Sequence, residues 1–451
     1  MTTHQPQREL HFNLFLHDTG HHEASWRLPS AQATSNLDLA YHQRLARIAE
    51  DAKFDSLFLA DSPVLWGDPA RRPSGSLEPT VLLTALAVQT SRIGLVATAS
   101  TSYNDPFNLA RRFASVDHLS GGRAGWNIVT TAGDAAARNF GLDGQPLHRT
   151  RYERAAEFLE VATKLWDSWA DDAIVADKAT GVHADTAKVR PIDHAGTHFR
   201  VAGPLNVPRA PQGYPLLVQA GSSEDGREFA ARWAEAVFTA TPTIEEAQEF
   251  YADIKRRAGE LGRDPRHLVV LPGIVPVIGD TVEEAREIEA ELERLIRPEY
   301  AVLSLAGVLG VDPAVLDLDR PLPADLPSED EIEGAKSRRT LIVEWARRDN
   351  LTVRQLIGRL GGGRGHRTFT GTPVQIADTI QEWFENGAAD GFNIMPAVLP
   401  SGLEAFVEKV VPILQERGLF RTEYTGSTLR EHYGLPRPSN QFFERAQEAS
   451  A

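Results

Sequence analysis

The chain has 451 residues, 42% of them hydrophobic and 24% charged, and its formal net charge is −15. This composition is typical of a globular protein with a large core, and the negative charge argues against binding to nucleic-acid backbones or anionic membranes. Cysteine is absent, which excludes disulfides, thiolate metal sites and a cysteine nucleophile. The amino terminus lacks the apolar segment of a signal peptide, so we expect a cytoplasmic protein.

Apolar strand-like runs alternate with helix-like segments along the chain, which indicates a repeated βα unit. In the first half, the predicted strands are residues 11–16, 56–61, 93–100 and 123–130, and the predicted helices are residues 37–51, 79–90, 107–118 and 152–169. In the second half, the predicted strands are residues 215–221, 236–241, 268–278 and 391–398, and the predicted helices are residues 223–234, 244–261 and 402–417.

Eight βα units predict an α/β fold of the (β/α)8 TIM-barrel type, in preference to an open doubly wound sheet. We expect a single domain over residues 1–451. A helical insertion at about 285–370, containing a helix at 331–349, separates the seventh and eighth strands. A C-terminal tail at about 418–451 is expected to lie over the barrel or over a neighbouring subunit.

Polar residues stand at the ends of three successive predicted strands. Asp61 ends the second strand, Thr98 lies in the third, and Asn127 lies in the fourth. Because the carboxyl ends of barrel strands surround one opening, these side chains are expected to meet in one pocket. For Asp61, a turn or helix cap is the alternative interpretation.

Two helix starts supply further polar groups. Ser222 and Ser223 open the helix after the fifth strand, where hydroxyls and free backbone amides suit a phosphate. A plain serine N-cap is the alternative, and Glu224 would repel a phosphate unless it turned outward. His148 and Tyr152, one helical turn apart, are candidates to donate hydrogen bonds to a ligand, although His148 could instead cap its helix.

A cluster of ionisable residues follows the first predicted strand and includes His17, His21, His22 and Glu23. They lack the H-E-x-x-H spacing of a helical metal site, so no metal is expected. A histidine with a pKa near neutrality at a barrel opening is a candidate proton donor or acceptor, and a solvated loop histidine is the alternative. The same two interpretations apply to His366, which follows a glycine run at 361–365.

The segment Leu119-Ser-Gly-Gly-Arg-Ala-Gly-Trp-Asn-Ile-Val-Thr130 resembles the hallmark of the bacterial luciferase-like superfamily, in the branch of nitrilotriacetate, dibenzothiophene-sulfone and long-chain-alkane monooxygenases. Six further segments resemble the same branch: residues 53–61, 148–158, 219–223, 371–378, 387–392 and 417–424. The resemblance extends nearly from end to end. It implies a TIM barrel that binds reduced FMN (FMNH2), supplied by a separate NAD(P)H:FMN reductase, and commonly forms a homodimer.

The resemblance also implies the reaction and the roles of site residues. Reduced FMN would react with O2 to form a C4a-(hydro)peroxyflavin, which oxygenates a small organic substrate. Three residues would line the isoalloxazine ring: Asp61, Thr98 and Asn127. Four would hold the phosphate end: His148, Tyr152, Ser222 and Ser223. His21 would be the proton-transfer residue.

The sequence favours an aromatic, organosulfur or halogenated substrate, because Leu65, Trp66 and Phe107 are apolar and the sulfone-type resemblance points the same way. The alternatives are an aminopolycarboxylate (nitrilotriacetate-type) monooxygenase, a deazaflavin-dependent dehydrogenase, and a flavin-binding protein without turnover. Alkane-type relatives have a cysteine after the first strand, and this chain has none. The insertion, with its glycine run, is predicted to act as a lid.

Overall fold

The computed structural model describes residues 8–65, 69–70, 73–131, 133–328, 336–363 and 366–443. Their strands are β1 (His11–Leu16), β2 (Ser56–Leu59), β3 (Gly94–Ser100), β4 (Ala124–Val129), β5 (Ile174–Asp177), β6 (Val182–Ala184), β7 (His194–Ala195), β8 (Arg200–Val201), β9 (Leu216–Gln219), β10 (Ala236–Thr239), β11 (Val269–Ile278), β12 (Arg367–Gly371) and β13 (Gly391–Ile394).

The α-helices of the same residues are α1 (Leu39–Asp51), α2 (Pro79–Ala87), α3 (Pro106–Ser120), α4 (Asp134–Asn139), α5 (His148–Trp166), α6 (Glu224–Trp233), α7 (Ile244–Glu260), α8 (Val282–Arg294), α9 (Pro298–Leu309), α10 (Lys336–Arg348), α11 (Val353–Gly363), α12 (Pro373–Glu385), α13 (Ser401–Ala405), α14 (Val411–Glu416) and α15 (Leu429–His432). Within the described ranges, no helix has both the length and the apolar composition needed to cross a bilayer.

Eight parallel strands close into a ring. The pairing follows the order β1, β2, β3, β4, β9, β10, β11, β13 and returns to β1. All seven residues of β3 are buried, because a barrel strand packs on the interior with one face and on the surrounding helices with the other. The predicted TIM barrel is confirmed, and each of its eight strands overlaps a predicted one.

Strand β12 is not among the predicted strands, and it begins at the end of the segment expected to be a helical insertion. It pairs in parallel with the carboxyl half of β11, from Ile274 to Ile278. Helices α9 to α11 pack around an apolar cluster of their own, which includes Leu305, Leu309 and Leu356. Residues 329–335 and 364–365, which belong to the predicted insertion and its glycine run, lie outside the described residues. The single-domain boundary and the lid stay predictions.

The described part of the C-terminal tail lies across the amino end of the barrel. The Leu429 amide donates to the carbonyl of Gly122, just before β4, at 3.0 Å. The Tyr433 hydroxyl donates to the Asn13 side-chain oxygen inside the barrel at 2.5 Å. Leu429 and Tyr433 belong to the apolar cluster of the barrel interior. Since the tail covers the amino end, a ligand is expected at the carboxyl end.

Candidate active site

Thr98 and Asn127 meet at the carboxyl half of the barrel. They are direct partners in the register of β3 and β4, and the Asn127 amide nitrogen donates to the Thr98 hydroxyl at 2.8 Å. Both side chains are buried. The side-chain carbonyl oxygen of Asn127 is also buried, and it finds no donor within the described parts of the chain. A buried acceptor without a donor is unusual and marks this position as a candidate ligand contact.

Three phenylalanines pack together inside the barrel opening: Phe15 of β1, Phe58 of β2 and Phe238 of β10. We call them the aromatic cluster. Their ring centroids lie 5.0 to 5.6 Å apart in edge-to-face contacts, the geometry that aromatic pairs prefer. These three residues are not among the predicted site residues. Their position near the carboxyl end of each strand is the signal that could have identified them.

His21 lies against the aromatic cluster. Its ring is 4.6 Å from that of Phe15, and its Nε2 donates to the Phe15 carbonyl at 3.0 Å. The His21 amide donates to the carbonyl of Pro396, just after β13, at 2.9 Å. The side chain is 1% exposed, so the alternative of a solvated loop histidine is wrong for this residue. Its role in proton transfer stays a prediction.

Asp61 lies two residues beyond the end of β2 and is partly buried. Burial raises the pKa of its carboxyl; a hydrogen bond from the Ser62 backbone opposes that effect, and nearby Glu78 adds to it. A raised pKa at a barrel opening is a feature of functional carboxyls. A flavin contact by Asp61 stays a prediction.

A second polar group forms where α5 and α6 begin. Helix α5 starts at His148, four residues earlier than predicted, so His148 and Tyr152 share one helix. Burial raises the pKa of Tyr152, although hydrogen bonds with the Ser223 and Thr130 side chains oppose the shift. The Tyr152 hydroxyl therefore stays protonated at neutral pH. The neighbouring Thr131 does not share the partner of Thr130, because its hydroxyl donates to the Ser100 hydroxyl at 2.8 Å.

Helix α6 begins with two acidic residues, Glu224 and Asp225, which would repel an anion, and the structure shows that both carboxylates are paired. Glu224 turns outward and forms two bonds with Arg257, at 2.7 and 3.0 Å. Asp225 accepts a hydrogen bond from His148 Nδ1 at 2.7 Å. His148 therefore pairs with a carboxylate, and a side-chain cap at the start of α5 is not seen.

The two serines at the start of α6 differ. Ser223 is the N-cap, and its hydroxyl accepts from the Gly226 amide at 3.2 Å, so the capping interpretation holds for this residue. Ser222 is exposed, and its backbone carbonyl accepts from Arg227 at 3.1 Å. A methyl group at Gly221 would lie 3.0 Å from the Tyr152 hydroxyl. Phosphate binding by these residues stays a prediction.

The comparisons with known proteins identify the family. The model of the luciferase-like monooxygenase family matches residues 19–390. The N-acetyl-S-(2-succino)cysteine monooxygenase of Bacillus subtilis (strain 168) is 49% identical, over 97% of this chain and 99% of that protein. Nitrilotriacetate monooxygenase component A of Aminobacter aminovorans is 47% identical, over 96% and 98% of the two chains.

A solved structure agrees with these sequence matches. The riboflavin lyase RcaE, in a crystal structure with modified FMN and its substrate riboflavin, superposes with a TM-score of 0.84 and 35% identity, covering 95% of this chain and 97% of that one. The predicted family and the predicted oxidoreductase class are thereby confirmed. This chain belongs to the luciferase-like monooxygenase family.

Proposed function

We propose that the protein is the oxygenase component of a two-component flavin monooxygenase, which binds reduced FMN at the carboxyl end of the barrel. The observation that supports this most directly is the buried carbonyl oxygen of Asn127 beside Thr98, for which the described residues supply no donor. Leaving such an oxygen unpaired costs about 1–3 kcal/mol. A flavin ring carries an N–H group of the kind that would satisfy it, and the residues present therefore fit the cofactor.

The second polar group fits the phosphate end of the same cofactor. Tyr152 and Ser223 supply hydroxyls at the amino ends of α5 and α6, and a helix amino terminus favours an anion. Glu224 would oppose an anion, but its pairing with Arg257 directs it away. We propose Tyr152, Ser222, Ser223 and His148 as the residues that hold the phosphate.

When bound, reduced FMN supplies the electrons with which one atom of O2 is reduced to water while the other is transferred to the substrate. The aromatic cluster excludes water from the barrel side of the pocket. We propose that His21 moves the proton, because its imidazole packs on Phe15 and its Nε2–H is fixed by the Phe15 carbonyl. Asp61 and Thr98 orient the ring.

Reduced FMN must be generated before it binds, so we propose a separate NAD(P)H:FMN reductase as the partner. The relative from Aminobacter is named as one component of its monooxygenase, which supports a divided system. Because the proposed reductase depends on a nicotinamide cofactor, we propose that the protein acts in the cytoplasm. Homodimerisation is proposed on the family resemblance alone.

The substrate that we propose is a small carboxylated organosulfur compound or amine. N-acetyl-S-(2-succino)cysteine and nitrilotriacetate, which name the two relatives, both carry several carboxylates. The basis for an aromatic substrate is weaker, because Leu65 is 61% exposed, Trp66 lies outside the described residues, and Phe107 packs against the helical core. The aminopolycarboxylate alternative therefore gains weight.

Anaerobic titration and coupled turnover test the proposal together. We expect the protein to bind reduced FMN and, with a reductase, O2 and N-acetyl-S-(2-succino)cysteine or nitrilotriacetate, to form an oxygenated product. Product and hydrogen peroxide are measured separately. Flavin binding with peroxide release but without substrate-dependent product would instead identify a flavin-binding protein without turnover.

Replacing Tyr152 by phenylalanine is expected to weaken the affinity for reduced FMN by about threefold to tenfold, the usual loss for one neutral hydrogen bond. The affinity is measured by anaerobic fluorescence titration. Tyr251→Phe is a matched control, since the Tyr251 hydroxyl donates to Asp390 at 2.8 Å, next to the start of β13 and away from the barrel opening. Equal losses in both variants would contradict the role given to Tyr152.

A further inference from the structure

A histidine from outside the eight βα units reaches into the barrel opening. His366 lies between α11 and β12, yet it is only 5% exposed. Its ring is parallel to that of Phe238 within 1°, with the centroids 5.1 Å apart. The imidazole therefore extends the aromatic cluster with a side chain that can donate a hydrogen bond.

Gly273 of β11 makes room for this imidazole. A methyl group at Gly273 would lie 2.5 Å from His366 Nδ1 and 2.7 Å from both Met395 Sδ and Phe238 Cε2. Real side chains do not approach so closely, so His366 keeps this position only while residue 273 has no side chain. A glycine inside a strand often marks such a close approach.

His366 and His21 flank the aromatic cluster on two sides. His21 packs on Phe15 at 4.6 Å, His366 packs on Phe238 at 5.1 Å, and Phe15 and Phe238 are 5.6 Å apart. An imidazole N–H donates hydrogen bonds to carboxylate oxygens. An apolar surface with the His366 imidazole at one side suits a short apolar molecule with an anionic end.

The ring of strands places His366 opposite the proposed flavin contacts. Gly273 is on β11, and Thr98 is on β3, four strands away in the closed order of eight. A ligand that reaches from Thr98 across the opening would thus present its far end to His366. The residues proposed to hold the flavin phosphate are at the starts of α5 and α6, so the His366 position is separate from the phosphate site.

We propose that His366, held in the space left by Gly273, is a specificity-determining residue that binds a carboxylate of the substrate. This inference rests on the proposed function, in which the substrate is a small carboxylated molecule. The imidazole donates a hydrogen bond to the carboxylate oxygen, and the aromatic cluster contacts the carbon chain beside it.

The first test replaces His366 by phenylalanine, which keeps the stacking on Phe238 and removes the N–H groups. With N-acetyl-S-(2-succino)cysteine, KM is expected to rise at least about tenfold, the loss typical of a hydrogen bond to a charged group. We expect kcat and the affinity for reduced FMN to stay within about twofold, since His366 lies beside β11, across the ring of strands from the proposed flavin contact Thr98 on β3. An unchanged KM would overturn the inference.

Gly273→Ala is the second variant, because its methyl group displaces the imidazole without removing it. A comparable rise in KM is expected, and the double variant should be no worse than either single one. His183→Phe, at an exposed position on β6, is the matched control and should leave KM unchanged. A folded Gly273→Ala protein with the original KM would overturn the inference.

Binding of reduced FMN and the choice of substrate by the native protein distinguish failure of the proposed function from failure of the His366 inference. A native protein that binds no reduced FMN would refute the proposed function. A native protein that binds reduced FMN and oxygenates dibenzothiophene sulfone, but neither N-acetyl-S-(2-succino)cysteine nor nitrilotriacetate, would overturn the carboxylated substrate and the carboxylate contact of His366, and it would leave the proposed monooxygenase activity standing.

Discussion

Replacing Arg421 by methionine is expected to lower the free energy of unfolding by about 3–5 kcal/mol, the usual cost of leaving one partner of a buried ion pair alone. The Arg421 guanidinium donates to Asp55 at 2.7 Å and to the His432 carbonyl at 2.9 Å. Asp55 is 0% exposed and also accepts from the Phe12 amide at 2.7 Å. The substitution would therefore leave the Asp55 carboxylate buried beneath the first two strands without its guanidinium partner.

The charge state of Asp55 explains why the loss should be large. Burial alone would raise the pKa of this carboxyl, but Arg421 and His11 outweigh burial and hold the pKa below its usual range. At neutral pH the native Asp55 is thus ionised and depends on Arg421 for compensation. Without Arg421, the tail that covers the amino end of the barrel also loses one of its buried polar contacts.

Urea unfolding at neutral pH measures the effect, with Arg417→Met as the matched control. Arg417 pairs with Asp378 at 2.6 Å, but that carboxylate is 60% exposed, and pairs near the surface contribute less than about 1 kcal/mol. Similar losses of unfolding free energy in both variants would show that the buried Asp55 pair stabilises the protein no more than an exposed pair. We expect the urea midpoint of Arg421→Met to lie clearly below that of Arg417→Met.

The barrel and part of the site followed from local patterns in the sequence. Apolar runs such as 94–100 identify barrel strands because both of their faces are buried. The pairing of Thr98 with Asn127 followed from the rule that strand ends converge, and their 2.8 Å hydrogen bond confirms it. These features depend on short segments and on a repeated unit.

The features that escaped prediction depend on partners distant in sequence. The outward turn of Glu224 requires Arg257, 33 residues later on another helix. The aromatic cluster joins β1, β2 and β10, whose contact exists only once the ring has closed. His366 reaches the opening from a segment beside a strand that has no place in the βα rhythm. Linear patterns indicate where a residue stands on its strand or helix, but they do not identify the distant residues that it contacts.

Replacing Asn127 by alanine is expected to weaken the affinity for reduced FMN by about tenfold to a hundredfold. The variant removes the buried carbonyl oxygen proposed to accept from the flavin ring, and it leaves the Thr98 hydroxyl without its donor at 2.8 Å. Both losses act at buried side chains, so the effect should exceed that of one exposed hydrogen bond.

Asn393→Ala is the matched control, because Asn393 is also a buried barrel asparagine and is bonded to Asn13 at 3.0 Å and to the Leu271 carbonyl at 3.2 Å. Both variants should lower the melting temperature, but only Asn127→Ala should weaken flavin binding in an anaerobic titration. Equal affinities for reduced FMN in the two variants would show that the flavin ring does not contact Asn127. A loss of affinity confined to Asn127→Ala would indicate that the ring lies beside β3 and β4, across the opening from His366.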